Sequence, residues 1–313
     1  MPQAPQLLRR ILTAHPCTDI HIPAPRSGQP ITVVTPTGPV RTRHRPTDAC
    51  IDRLVALGRR AADRPFGTAD PTLDAEITVA GRRCRLAAVG PPLAPAVAIT
   101  IRVHPAQHRT LTDLIRGRML PARLAAWLRD RLRAGGAMLI AGPRGAGKTT
   151  LCAAAMVALR AETRIITIED TPELPVDALR RAGRDIQPLR ADPTSTTHTP
   201  TDAVRAALRL GDSALIIGEV RGPEVAAVYE AIRVGAQSEA VLATIHGGTP
   251  RAVRDRITID LGVSDRSFRH TDAIVCCGRH GGRHLVTQVV TVDAEGFTPV
   301  FTHPDAPMDA PAA

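Results

Sequence analysis

Apolar positions between residues 119 and 303 recur as short uninterrupted runs, separated by stretches with helical spacing. Such runs predict strands buried on both faces, and the stretches between them predict helices that cover the strands. The predicted strands are Ala137–Ala141, Arg164–Ile168, Ala214–Ile217 and Ala240–Ile245. The predicted helices are one that Pro121 opens and Gly135 ends, then Lys148–Leu159, Asp202–Leu210 and Pro223–Arg233. This alternation predicts a parallel sheet with helices on both faces.

A smaller α/β unit is predicted before this pattern. Its strand-like runs are Asp19–Ile22, Ile31–Val34, Ala75–Val79 and Ala96–Val103, and the apolar positions of one helix between them are Ile51, Leu54, Val55 and Leu57. We therefore expect an N-terminal domain over residues 1–105, a linker over 106–118, a second domain over 119–303 and a disordered tail over 304–313.

The C-terminal part of the second domain changes from helices to strands. The apolar run Ala273–Val275 precedes a predicted hairpin, His284–Val292 and Phe297–Phe301. Between them, a cluster with superficially zinc-like spacing surrounds two glycines: Cys276, Cys277, His280 and His284. Structural zinc sites usually draw their ligands from two separated segments, so we favour an ordinary approach to the hairpin over a metal site.

Composition places the chain among globular proteins. The apolar fraction is 43% and the aromatic fraction only 2%, so alanine, valine, leucine and isoleucine must fill the core. The start of the chain, Met1–Arg10, lacks the apolar region of a signal peptide, and prolines break the longest uncharged run, Leu86–Ile101. The six cysteines show no disulfide-framework spacing. We expect a soluble, cytoplasmic protein with reduced thiols.

The net charge of +10 raises the question of acidic partners. The arginines are dispersed along the chain, and aromatic residues that stack on single-stranded nucleic acid are nearly absent. We therefore interpret the charge as an arginine-rich but ordinary surface, and we do not expect nucleic acid as a partner. Weak contact with acidic membrane headgroups or acidic proteins stays open as the alternative.

One lysine stands out against this arginine-rich background. Of the 40 basic residues, 39 are arginine and the one lysine is Lys148, which lies in the segment Gly142–Thr149. The segment matches G-x-x-x-x-G-K-[ST], follows an apolar strand and opens a helix, which is the context that a P-loop requires. A compact ammonium fits a tight loop around phosphates where a planar guanidinium does not.

The P-loop predicts a site for ATP and Mg²⁺. Its backbone N–H groups would surround the phosphates, and the helix that follows adds its dipole. Lys148 would pair with the β- and γ-phosphates, and the Thr149 hydroxyl would ligate Mg²⁺. The predicted phosphate-binding residues are Gly142, Pro143, Arg144, Gly145, Ala146, Gly147, Lys148, Thr149 and Thr150.

Three other predicted strands also end in polar residues, which would meet at the same edge of the sheet. Glu219 ends an apolar strand as in an atypical Walker B element and could hold Mg²⁺ through water. Glu169 is a candidate for polarising the attacking water, and His246 for sensing the γ-phosphate. The roles of Glu169 and Glu219 could be exchanged, and capping of the helix that follows is the structural alternative for each.

Together these motifs resemble the type II/type IV secretion-system ATPase superfamily, whose members power pilus and archaellum assembly, type II secretion and conjugation. The resemblance covers roughly residues 18–303 and is closest to archaeal members. It is carried by a Walker A segment at Ala141–Thr150, an Asp box at Ile166–Glu173, a Walker B segment at Leu208–Glu224 and a His box at Val241–Gly248.

The resemblance implies a RecA-like P-loop ATPase domain behind a smaller PAS-like domain that packs over the nucleotide. It implies a catalytic carboxylate at Glu169 and Mg²⁺ near Thr149 and Glu219. It also implies that Arg85 and Arg102 reach a γ-phosphate as arginine fingers when a ring, expected to be a hexamer, closes. The expected partner is a polytopic inner-membrane platform protein, with the motor peripherally associated on the cytoplasmic side.

Two departures from the family pattern narrow these expectations. Gly235-Ala236 and Gly247-Gly248 stand where many members carry further polar residues, so phosphate sensing would depend on His246 alone. The chain begins almost at the N-terminal domain, whereas many archaeal members are longer, so we do not expect docking through an extra N-terminal segment. Two other functions stay open: a nucleic-acid-translocating ATPase, and a non-hydrolysing nucleotide-binding scaffold.

Overall fold

The computed structural model describes residues 6–35, 37–104, 109–193, 195–234 and 239–304. The chain divides into two compact units, Met1–Ala106 and Gln107–Ala313. Most of the predicted tail, and the departure predicted at Gly235-Ala236, lie outside the described residues.

The first unit contains one antiparallel sheet in the part of the chain that is described. Its strands are β1 Asp19–Ile22, β2 Thr32–Thr35, β3 Gly38–Arg41, β4 Thr72–Val79, β5 Arg82–Val89 and β6 Ala98–Val103, in the order β3-β2-β1-β6-β5-β4. Two helices accompany them, α1 Gln6–Ala14 and α2 Asp48–Ala62. The helices and one face of the sheet share a single apolar core, to which α1 contributes Leu8 and Ile11 and α2 contributes Leu54.

Side-chain alternation explains why only one face of this sheet contributes to the core. In β5 the buried residues are Cys84, Leu86 and Ala88, so the residues between them, including Arg85, lie on the opposite face. The four predicted strands are present. The pattern missed α1 and two further strands, β3 and β5, whose sequences combine glycine, proline and several arginines with few strong strand formers.

The second unit is built on a mixed sheet in the order β14-β13-β12-β7-β11-β10-β8-β9. Its strands are β7 Ala137–Ala141, β8 Ile165–Glu169, β9 Ile186–Arg190, β10 Ala214–Val220, β11 Val241–Ile245, β12 Ala273–His280, β13 Arg283–Val292 and β14 Phe297–Thr302. The helices are α3 Leu111–Arg116, α4 Ala122–Arg133, α5 Lys148–Ala158, α6 Val176–Arg181, α7 Pro200–Ala207, α8 Glu224–Val234, α9 Pro250–Asp255 and α10 Asp265–Phe268. From β12 to β9 all neighbouring strands are parallel, whereas β13 and β14 are antiparallel.

Two apolar cores cover the two faces of this sheet. One contains residues of α3, α4, α5 and α6, and the other contains residues of α7, α8, α9 and α10. The predicted parallel sheet with helices on both faces is therefore confirmed. The pattern missed α6 and β9, and the stretch predicted as a linker, 106–118, contains α3, whose Leu114 is buried in the first of these cores. Among the described residues, every helix is too short or too polar to cross a bilayer.

Candidate nucleotide-binding site

The P-loop leaves the sheet at the end of β7 and enters α5 at Lys148. Its three glycines, Gly142, Gly145 and Gly147, have φ angles of 151°, 70° and 93°, which disfavour residues with a Cβ atom. At Gly142 a Cβ would also lie 2.5 Å from the carbonyl oxygen of Cys277. The loop therefore requires glycine for backbone shape and for close packing, as a cradle for phosphates does.

Lys148 lies inside this loop, with 8% of its surface exposed. Its ammonium donates hydrogen bonds to the carbonyl oxygens of Gly142 at 2.9 Å and Pro143 at 3.2 Å. Burial lowers the pKa of Lys148, and the negative charges of Glu219 and Glu173 oppose this shift. The loop thus holds a desolvated cation next to carboxylates, an arrangement that suits an anionic ligand with a bound divalent cation.

Two residues of the predicted Asp box contact the P-loop helix or shape its surroundings. The Thr149 hydroxyl donates to a carboxylate oxygen of Glu173 at 3.1 Å. Glu169 is buried, and its Oε1 accepts from the backbone N–H groups of Glu173 at 2.8 Å and Leu174 at 2.9 Å. Glu169 therefore organises the turn that brings Glu173 to Thr149. A Cβ at Gly218 would lie 2.9 Å from Cγ of Glu169, so glycine at that position leaves room for this side chain.

A chain of polar side-chain contacts links the ends of three parallel strands. Glu219, on β10, contacts His246, after β11, with 2.9 Å between Oε1 and Nε2. The guanidinium of Arg221 contacts the other carboxylate oxygen of Glu219 and also Oδ2 of Asp170, after β8, at 3.1 Å. The structure thus brings Glu219 and His246 together, as the sequence predicts for strand ends of one parallel sheet.

Sequence reasoning missed the contributions of Glu173, Arg221 and Glu224. Glu224 begins α8, and its Oε1 accepts from the backbone N–H groups of Arg221 at 2.7 Å and Gly222 at 2.9 Å. A glutamate in the first turn of a helix, whose side chain can reach back to N–H groups that precede the helix, is a recognisable signal for such a contact. The pairing of Arg221 with Asp170, 51 positions away, has no signal in the local sequence.

The oxygen atoms around Thr149 fit a magnesium ion. The Thr149 hydroxyl and the Glu173 carboxylate that it contacts are hard oxygen donors, which Mg²⁺ prefers, and the Glu219 carboxylate is close enough to act on the charge of Lys148. The buried ammonium of Lys148 and the open glycine turns fit phosphate oxygens in the same way. The residues present therefore suit a magnesium-bound nucleotide.

Comparison with known protein families decides which group of P-loop proteins this site represents. The sequence profile of the family described as type II/IV secretion system protein matches residues 69–288, more than half of the chain. The chain belongs to the type II/IV secretion system protein family.

Proteins similar to this chain occur in both bacteria and archaea. A Mycobacterium tuberculosis protein named after conjugal transfer is 31% identical over 324 residues, which span 98% of this chain and 90% of that protein. The type IV secretion system protein PtlH of Bordetella pertussis is 33% identical over 145 residues, 44% of this chain and 41% of PtlH. A Methanocaldococcus jannaschii protein is 27% identical over 77% of this chain and 43% of its own length. The predicted likeness to archaeal members therefore has only weak support.

Solved structures with the same fold confirm the predicted fold class. The Legionella pneumophila ATPase DotB superposes with a TM-score of 0.68 at 20% identity, over 94% of this chain and 84% of DotB. The pilus retraction motor PilT, solved with bound ADP, gives a TM-score of 0.68 at 20% identity, over 96% of this chain and 83% of PilT. At this level of identity the likeness shows the fold alone, a RecA-like α/β domain with a smaller N-terminal domain.

The two arginines predicted as fingers lie in the first unit of this family member. Arg85 on β5 and Arg102 on β6 are directly opposite each other across the strand pair. Each contacts an aspartate: Arg85 contacts Asp74 at 3.2 Å, and Arg102 contacts Asp19 at 3.1 Å. Two guanidinium groups thus lie side by side on the sheet face opposite the core.

The cysteine and histidine cluster forms the hairpin between β12 and β13. Cys276 and Cys277 are buried on opposite faces of the sheet, whereas His280 and His284 are exposed near its tip. Burial raises the pKa of the Cys277 thiol to about 12, so this thiol stays protonated at neutral pH. The two thiols thus lie on opposite faces of the sheet, and His280 and His284 lie on opposite faces of the hairpin that these strands form.

Proposed function

We propose that this protein hydrolyses ATP in a magnesium-dependent reaction and uses the energy to power a secretion or pilus-type machine. The observation that carries the proposal is the buried Lys148 ammonium inside the glycine loop, with the carboxylates of Glu219 and Glu173 acting on its charge. Membership of the type II/IV secretion system protein family supports it. So do the relatives that are named after conjugal transfer and type IV secretion.

In the proposed reaction Lys148 exchanges its contacts with the loop carbonyls for β- and γ-phosphate oxygens. Mg²⁺ would be held near Thr149 and Glu219 and would neutralise charge on the phosphates. Glu169 positions the attacking water from its rigid turn, where two backbone N–H groups fix one carboxylate oxygen. His246, held by Glu219, senses whether a γ-phosphate is present.

The dependence on magnesium tests the proposed hydrolysis directly. Phosphate release from ATP by the purified full chain is expected to fall to background in excess EDTA and to return when Mg²⁺ is restored. The reason is that the carboxylates of Glu173 and Glu219, which act on the charge of Lys148, would repel a bound triphosphate unless a divalent cation were held between them and the phosphates. Phosphate release that continues unchanged in excess EDTA would contradict the proposal.

The proposal includes a ring of identical subunits, a hexamer, that works on a polytopic platform protein from the cytoplasmic side of the membrane. The paired arginines Arg85 and Arg102 support it, because fingers that contact a γ-phosphate from a neighbouring subunit give each site full charge only in a closed ring. Light scattering in Mg²⁺ and ATP is expected to give a mass of about six chains. A particle that remains monomeric with saturating nucleotide would contradict the ring and leave the hydrolysis proposal standing.

A further inference from the structure

The hairpin between β12 and β13 forms one wall of the P-loop. β12 runs parallel to β7, and Cys276 is opposite Ala141, the last residue of β7. Beyond this point β12 continues to His280, whereas the segment after β7 turns into the P-loop. The carbonyl oxygen of Cys277 lies 2.5 Å from the Cβ position of Gly142. On the returning strand, Cβ of His284 lies 3.5 Å from the Cβ position of Gly147. The hairpin therefore touches the loop at its first and last glycines.

The register of the hairpin determines which side chains face the P-loop helix. Beyond Cys277, which is opposite Val286, the pairs are Gly278 with Leu285, Arg279 with His284, and then His280 with Arg283. Cys277 and Val286 belong to the core that contains α5. Because side chains alternate along a strand, Arg279 and His284 lie on this same face. His280 and Arg283 lie on the opposite face.

The tip of the hairpin carries two arginines and two histidines, and the hairpin has no acidic residues that could pair with them. No acidic residue occurs between Ala273 and Val292. Arg279, His280, Arg283 and His284 are exposed, and within the described residues none of their side chains makes a hydrogen bond or ion pair. The turn at Gly281-Gly282, with φ angles of 54° and 79°, is a tight two-residue connection that fixes both strands.

We propose that Arg279 is a further nucleotide-binding residue, whose guanidinium contacts phosphate oxygens of the nucleotide held by Lys148. His284, packed against Gly147, sets the distance between the hairpin and the loop. The inference rests on the proposed function, because it assumes that a nucleoside di- or triphosphate occupies the P-loop. The ligand class follows from the chemistry: a guanidinium forms short, charge-assisted hydrogen bonds with phosphate oxygens.

The two arginines of the tip allow a matched test, because they differ in the face that they occupy. At physiological ionic strength, calorimetric titration with Mg-ATP and with ADP is expected to show about tenfold weaker binding for Arg279→Gln, the loss of one hydrogen bond between charged groups. Arg283→Gln removes the same charge from the opposite face and is expected to change Kd by less than about twofold. Both positions are exposed, and equal melting temperatures would show that both variants fold.

Two outcomes would overturn the inference. One is an equal loss of nucleotide affinity in both variants, or no loss in either, because the face of the hairpin that an arginine occupies would then make no difference to binding. The other is unchanged ATP affinity with loss of binding to a short DNA duplex, which would make the hairpin a nucleic-acid contact. Lys148→Ala in the same titration separates this inference from the proposed function. If that variant loses ATP binding while both arginine variants bind normally, only the role of Arg279 is wrong.

Discussion

Replacing Lys148 with alanine is expected to reduce ATP turnover by at least about 10²–10³-fold and to remove saturable ATP binding. The side chain is the one buried ammonium of the P-loop, and it donates to carbonyl oxygens that cannot bind a phosphate in its place. Without the Lys148 ammonium, the carboxylates of Glu219 and Glu173 would repel the phosphates more strongly, because less positive charge would offset them. Binding is measured by titration with ATP and Mg²⁺, and turnover by phosphate release.

Lys148→Arg provides the informative control, because it keeps the positive charge and changes the shape of the group that carries it. The space between the carbonyl oxygens of Gly142 and Pro143 accommodates an ammonium, whereas a planar guanidinium is wider. We expect this variant to fail nearly as completely as Lys148→Ala. Arg160→Gln, at an exposed position beyond the end of α5, is expected to retain most of the activity. Turnover by Lys148→Ala at the wild-type rate would show that the site is assigned wrongly.

Replacing Glu219 with glutamine is expected to lower kcat by at least about 10²-fold while ATP still binds. The Glu219 side chain is 16% exposed, sits between His246 and Arg221, and acts electrostatically on Lys148. Glutamine keeps the size of the side chain but removes the charge that would hold Mg²⁺ through its water shell. The variant is therefore expected to need a much higher Mg²⁺ concentration for half-maximal phosphate release.

Glu169→Gln separates the two roles that the sequence left exchangeable. Its side-chain oxygen can still accept from the N–H groups of Glu173 and Leu174, so the turn should persist. If Glu169 positions the water, this variant loses kcat at saturating Mg²⁺ without a change in the Mg²⁺ requirement. If instead Glu169→Gln shifts the Mg²⁺ requirement and Glu219→Gln does not, the two assignments must be exchanged.

The central fold could be predicted because its signals are local. β7, β8, β10 and β11 each begin with a run of mostly apolar residues that are buried on both faces of the sheet. β9 was missed because Pro188 stands in its middle, a residue typical of the edge position that β9 occupies. β5 was missed because two of its residues are the weak strand formers Ala87 and Ala88, and arginines occupy three of its first four positions.

The features of the candidate site that could be predicted are those contained in one continuous sequence segment or fixed by the end of a parallel strand. The P-loop is one continuous motif, and the placement of Glu219 and His246 follows from the rule that parallel strands end at one edge. The partners of these residues depend on register and loop conformation, which no local pattern encodes. The contacts of Arg221 with Asp170 and of Thr149 with Glu173 are examples, and so is the side of the hairpin that Arg279 faces.

The solitary amine in the P-loop has a practical consequence for chemical labelling. Apart from the N-terminus, reagents that acylate primary amines have one target in the whole chain, and it lies at the proposed phosphate site. In the native protein, the extent of Lys148 acylation would report how much of the phosphate site is occupied, because a bound triphosphate would shield the amine from the reagent. The same scarcity means that lysine-directed cross-linkers would map almost none of the surface, so carboxylate- or arginine-directed chemistry is needed to find neighbouring proteins.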